Sequence, residues 1–136
     1  MPEGLAEVVD QIAAAFNAGD PAALIAICDS DVEIDSRIAR AGGRPFQGHD
    51  GVREWFEEIG ETFDYFVVEI DELREAGDLA LVLGRARWRG HGSGVETDEP
   101  LVWTAESDGG RLKRLAVYES EERAFAAFGE YKGRQR

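Results

Sequence analysis

Residues 65–90 read YFVVEIDELREAGDLALVLGRARWRG. Two runs rich in β-branched and aromatic residues flank the turn signal Ala76-Gly77-Asp78, which predicts a long β-hairpin. Its first arm covers 65–73 and its second 79–90. In the second arm Leu79, Leu81, Leu83, Arg85, Arg87 and Arg89 share one parity, while Ala80, Val82, Gly84, Ala86 and Trp88 share the other. Alternate side chains of a strand face opposite sides of the sheet. The small residues Ala80, Gly84 and Ala86 leave room on one side, and the three leucines require a cover on the other.

Beyond the hairpin, 99–107 and 111–119 read as two further strands around the turn Asp108-Gly109-Gly110. A closing helix is expected over 121–128, followed by a frayed basic tail with Lys132, Arg134 and Arg136. Before the hairpin the period changes. Leu5, Val8, Val9, Ile12, Ala13 and Phe16 recur at helical spacing and predict a helix over 3–17, stopped by Gly19. Asp20-Pro21 opens a short second helix, with Leu24, Ile25, Ile27 and Cys28 on its apolar face. A strand follows over 32–37, then a loop at Ala41-Gly42-Gly43 and a brief extended piece at Pro45 and Phe46. Asp50 caps a third helix that reaches about residue 62 and presents Val52, Trp55, Phe56, Ile59 and Phe63 on one face. Helices gathered early and an antiparallel meander later define an α+β chain, read as one domain over 1–136 with the helices on one face of the sheet.

Composition narrows the function. The hydrophobic share of 43% and the aromatic share of 10% are globular values. Cys28 is the single cysteine, so no internal disulfide forms. Neither a secretory leader nor a membrane-length apolar run is present, so cytoplasmic residence and no membrane are expected. With 15 Lys and Arg against 28 Asp and Glu, the net charge is -13. That balance argues against nucleic acid as a partner, since phosphate neutralisation needs clustered bases.

The element order, Asn17-Ala18-Gly19-Asp20, the helix entry Gly48-His49-Asp50-Gly51-Val52-Arg53, the turn at Ala76-Gly77-Asp78 and the strand from Arg111 to Tyr118 together resemble the SnoaL-like, polyketide cyclase-like branch of the nuclear transport factor 2-like superfamily. The resemblance implies a cone-shaped, curled antiparallel (mixed) sheet covered by three helices of the N-terminal half, the cystatin-like arrangement. It also implies a pocket between sheet and helices for a small apolar or carbonyl-bearing metabolite, and a homodimer formed through the outer sheet face. Leu79, Leu81 and Leu83 beside the arginine row fit half of such an interface.

The resemblance further suggests two catalytic carboxylates. Asp35 falls where ketosteroid isomerases carry their proton-transferring acid, although Val32 and Ile34, if they face the core, turn Asp35 the other way. Glu119 lies on the strand that supplies an acid in several relatives, and it points inward if Leu115 and Val117 do. The donors of the isomerase oxyanion site are replaced by Ile12 and Val102, which cannot donate to an enolate. Trp55, Phe56, Ile59, Phe66, Trp88, Val102 and Val117 are the expected ligand-binding side chains. Arg85, Arg87 and Arg89 read as a solvated row paired with acids, or as the inward arginine of limonene-type epoxide hydrolases. His49 reads as loop packing and His91 as a mobile loop residue. No metal-ligand spacing, phosphate loop or nucleophile elbow occurs, so neither a metal nor a cofactor is expected. Three readings follow: a cofactor-free isomerase, cyclase or dehydratase using Asp35 and Glu119; a non-catalytic ligand-binding or dimeric scaffold protein; and an epoxide hydrolase.

Overall fold

The computed structural model describes residues 4–36 and 44–134, with the Arg134 side chain excluded. The loop expected at Ala41-Gly42-Gly43, the strand end at Arg37 and the tail residue Arg136 lie outside the described residues. Helix α1 (Leu5–Ala18) buries Leu5, Val8, Val9 and Ile12 along one stripe. Gly19 ends it at φ 65, a left-handed conformation that costs glycine little. The Asp20 carboxylate accepts from the Ala23 amide at 3.1 Å and caps α2 (Pro21–Ile25), with proline at the first helical position as expected.

Strand β1 (Cys28–Asp35) begins well before the expected start at 32. The Leu112 amide donates to the Ile27 carbonyl at 2.7 Å, and Cys28 pairs with Leu112. This pairing draws the polar Asp29-Ser30-Asp31 stretch into extended backbone, so Cys28 packs from a strand rather than from the α2 face. A two-residue strand β2 (Phe46–Gln47) leads into α3 (Gly48–Thr62). Asp50 does not cap α3. Gln47 holds the cap position, and Asp50 in the first turn accepts from Arg53 at 2.8 Å. The remaining strands are β3 (Phe63–Ala76), β4 (Leu79–Gly90), β5 (Glu96–Asp108) and β6 (Arg111–Tyr118). Helix α4 (Glu121–Arg134) continues past 128, so Lys132 lies on a helix and not in a frayed tail.

The six strands run in the order β2-β1-β6-β5-β4-β3. The β1–β6 pair is parallel and every other neighbouring pair is antiparallel. The expected cone-shaped, curled sheet is therefore corrected: the sheet is mixed, open and not strongly curled. Closure into a cone requires the first and last strands to approach each other, whereas β2 and β3 end the order as separate edges. Register shifts bend β1 after Cys28, β3 between Ile70 and Glu72, and β5 after Glu106, which reorients single strands without rolling up the whole.

The expectation that all helices share one face is also corrected. The main core joins α1 residues Val8, Val9 and Ile12 with Ala80, Val82, Trp103, Ala105 and Leu115 of the sheet, beneath Val52 and Trp55 of α3. Leu81 and Val102 have the opposite parity and pack with Ala124 of α4, flanked by Leu83, Phe125 and Phe128. Leu81 and Leu83 of the row that suggested a dimer interface thus pack against the chain's own last helix. Gly84 serves a different end from the open interior expected of it. A Cβ there would stand 1.8 Å from the Glu69 carbonyl oxygen, so the missing side chain is what lets β3 cross closely at its bulge.

Candidate functional site

Between helices α1 and α3 and the sheet lies a cavity of about 140 Å³. That is the size which, in an apolar interior, accommodates roughly one six-membered ring. Ile12, Ala13 and Phe16 of α1 and Trp55 and Ile59 of α3 form its helical wall. Phe63, Phe66 and Val68 of β3, Trp88 of β4, and Leu101 and Trp103 of β5 form the sheet wall, completed by Leu115 and Val117 of β6.

Aromatic contacts hold the wall, tilted between Phe16 and Trp55 and edge-to-face in the others. Phe16 meets Trp55 at 5.2 Å and Phe66 at 5.5 Å, and Phe63 meets Phe66 at 5.0 Å and Trp88 at 5.2 Å between ring centroids. Such contacts favour fixed ring orientations over sliding stacks. The Asn17 amide fastens α1 to β3 beside the cavity. It donates to the Val68 carbonyl at 3.0 Å and accepts from the Val68 amide at 2.8 Å. This also occupies backbone groups that the edge strand β3 would otherwise expose.

Polar groups at the cavity are few. Ser36, buried at the end of β1, and Glu99 of β5 both line it. Glu99 is the one ionisable side chain in that lining among the described residues. Trp55 and Trp103 are 5% and 4% exposed, and their indole nitrogens have no hydrogen-bond partner among the described residues. No group of three or more His, Cys, Asp or Glu among the described residues is placed to hold a metal ion.

The expected carboxylates stand elsewhere. Val32 and Ile34 are fully buried in the core, and Asp35 projects from the opposite side of β1, as alternation requires. There Arg114 reaches Asp35 at 3.2 Å and Glu33 at 2.8 Å. Burial pulls the Arg114 guanidinium down, but the hydrogen bonds and charges of Glu33 and Tyr118 outweigh it and hold the group above its ordinary value. Glu119 is exposed and lies outside the cavity, because β6 ends at Tyr118 and the alternation through Leu115 and Val117 stops with it. Glu119 borders a neighbouring hollow that shares Glu99 and Leu101.

Of the expected ligand-binding side chains, Trp55, Ile59, Phe66, Trp88 and Val117 line the cavity. Phe56 stands behind the wall against Phe16 and Trp55. Val102 points to the α4 face, because its neighbour Trp103 points inward. Arg85, Arg87 and Arg89 are exposed and pair with Asp98 at 2.7 Å, Glu69 at 3.2 Å and Asp64 at 3.5 Å. No arginine lines the cavity among the described residues, so the arginine-held water of an epoxide hydrolase has no place here. His91 is fastened to Asp64 at 2.8 Å. The expected residues omitted Glu99, although it shares the parity of Leu101 and Trp103.

A mixed sheet, the N-terminal helices over one face and an apolar cavity between them define an α+β pocket fold. Residues 9–115 match the model of the SnoaL-like domain, and the chain belongs to that family. Solved structures agree on the fold. An NTF2-like protein of unknown function from Burkholderia pseudomallei is 19% identical with a TM-score of 0.77, covering 90% of this chain and 95% of that one. A protein with a ketosteroid isomerase-like fold from Catenulispora acidiphila, solved with trimethylamine, is 20% identical with a TM-score of 0.75, covering 90% and 92%. IdmH of Streptomyces antibioticus, a candidate polyketide cyclase, is 18% identical with a TM-score of 0.73, covering 93% and 99%. No curated protein sequence matches the chain significantly. Among the described residues no helix is long and apolar enough to cross a membrane.

Proposed function

We propose that the cavity binds a small cyclic, carbonyl-bearing metabolite, and that Glu99 moves a proton on it without a cofactor. The observation that carries this reading is the position of Glu99 as the one ionisable group among the described residues of a lining that is apolar apart from it and Ser36. A carboxylate placed against a ligand can take a proton from the carbon beside a carbonyl and return it to another atom of the same skeleton. The C–H electron pair passes into the enolate, and the proton waits on Glu99. Return at a new carbon completes an isomerisation. Attack of the enolate carbon on a second carbonyl completes a cyclisation, with the proton going to the new alkoxide. Asp35 and Glu119 have no part in this scheme, since neither borders the cavity.

The test is deuterium exchange at the α-carbon of cyclohexanone in D2O, followed by NMR. The wild-type chain is expected to accelerate exchange over buffer, and Glu99→Gln to lower that acceleration by about 100-fold or more. Equal acceleration by Glu99→Gln would remove the acid–base role. A second reading, a ligand-binding protein without catalysis, is favoured by the position of both expected carboxylates off the cavity. It predicts ring binding with no exchange above buffer.

A further inference from the structure

Two hydrogen bonds join the helical and sheet walls of the cavity. Asn17, next to last in α1, donates through its side-chain nitrogen to the Val68 carbonyl at 3.0 Å and accepts through its side-chain oxygen from the Val68 amide at 2.8 Å. Both bonds go to one residue of β3, the strand at the end of the sheet order. The residues around this bracket are cavity wall. Phe16, the chain neighbour of Asn17, lines the cavity, and so do Val68 and Phe66 on one face of β3. Phe16 and Phe66 meet edge to face at 5.5 Å between centroids. Apolar burial has no preferred direction, so packing alone leaves the gap between such walls adjustable. A hydrogen bond holds its heavy atoms within roughly 2.7–3.2 Å and close to linear. Two of them on the amide and carbonyl of one residue fix α1 both across β3 and along it.

We propose that Asn17 is a positioning residue that sets the ring size the cavity admits, by holding the α1 wall against the β3 wall at Val68. The inference rests on the reading of the cavity as a ligand pocket and is independent of the proton-moving role of Glu99. Asn17 is exposed and is not part of the lining; it acts through Phe16 and Val68. Without its amide, the two walls are held at this point by side-chain packing, and the cavity opens to rings larger than six-membered. The exposure of the bracket also makes the inference testable. When the side chain is removed, the Val68 amide and carbonyl pass to water, and the loss costs only the small net worth of such bonds.

The test titrates cyclohexanone and cyclooctanone, followed by tryptophan fluorescence, since Trp55, Trp88 and Trp103 all line the cavity. The wild-type chain is expected to prefer the six-membered ring. Asn17→Ala should shift the ratio of the two affinities toward the eight-membered ring by about fivefold, the factor that one net hydrogen bond carries. Asn17→Asp keeps the acceptor for the Val68 amide but sets a charged oxygen against the Val68 carbonyl, and it should shift the ratio the same way. Asp20→Ala, which removes the α2 cap at a similar cost in stability, separates positioning from stability and should keep the wild-type ratio. An unchanged ratio in both Asn17 variants, or the same shift in Asp20→Ala, would overturn the proposal while leaving the pocket standing. Should Asn17→Ala not fold, Asn17→Asp decides. Failure of both ketones to bind the wild-type chain would overturn the pocket and the positioning role together. Absence of exchange chemistry with the ring-size shift intact would count against Glu99 only.

Discussion

Asp35 and Arg114 meet at 3.2 Å across β1 and β6, on the side of the sheet turned away from the cavity. The contact is partly exposed on both sides, and such pairs contribute little net stability. Asp35→Asn is therefore expected to lower stability by no more than about 1 kcal/mol in urea unfolding, and to leave ring binding and exchange unchanged. Loss of binding in this variant with the fold intact would show that the acid reaches the ligand.

Gly84 and the Glu69 carbonyl define a second, stricter constraint. An added methyl group would overlap backbone rather than a movable side chain. Gly84→Ala should destabilise by about 1–3 kcal/mol or more, read as a lower urea midpoint. Ala86→Gly on the same strand adds no overlap and should cost about 1 kcal/mol. Equal effects would mean that β3 moves aside freely at its bulge.

Helix α4 is expected to keep the sheet's other face from self-association. Ala124 is fully buried against Leu81 and Val102. Ala124→Asp places a charge there with no partner on those apolar neighbours. The helix should detach and expose the leucine row, raising the sedimentation coefficient relative to the wild-type chain. An unchanged coefficient together with an unchanged unfolding midpoint would show that α4 adds little cover.

Cys28 gives a pH prediction. Burial pushes its thiol from the ordinary 9.0 up to about 12, with Arg111 pulling it down and Asp29 pushing it up. Below pH 9 the thiol is protonated in both the folded and unfolded chain, and its contribution is fully present. Above 9 the unfolded chain ionises first, so this contribution falls as pH rises through 12. The urea midpoint should drop more between pH 8 and pH 10.5 in the wild-type chain than in Cys28→Ala. A thiol reagent at pH 8 should react slowly until the chain unfolds. Identical pH slopes in the two chains would contradict the assignment.

Much of this architecture was legible in local signals. The turn at Ala76-Gly77-Asp78, the bounds of β4 and the Asp20-Pro21 helix entry depend on nearest neighbours alone. The start of β1 was not legible, because Asp29, Ser30 and Asp31 have no strand propensity of their own and lie in the register shift between Cys28 and Glu33, the residues on either side that pair with β6. The face covered by α4 depended on a contact between residues more than forty positions apart, Leu81 and Ala124. Glu99 was hidden for another reason. Acids at Glu96, Asp98 and Glu99 beside Pro100 read as a strand edge, while the parity shared with Trp103 stood in plain view. Glu119 failed oppositely: an alternation was carried one residue past the end of its strand.

The cavity can be tested most directly by diffraction from crystals soaked in iodobenzene, a one-ring compound whose iodine scatters anomalously. The iodine is expected between the helices and the sheet, bounded by Trp55, Ile59, Trp88 and Val117. Side chains filling that volume, with iodine found only on the outer surface or nowhere, would contradict the account.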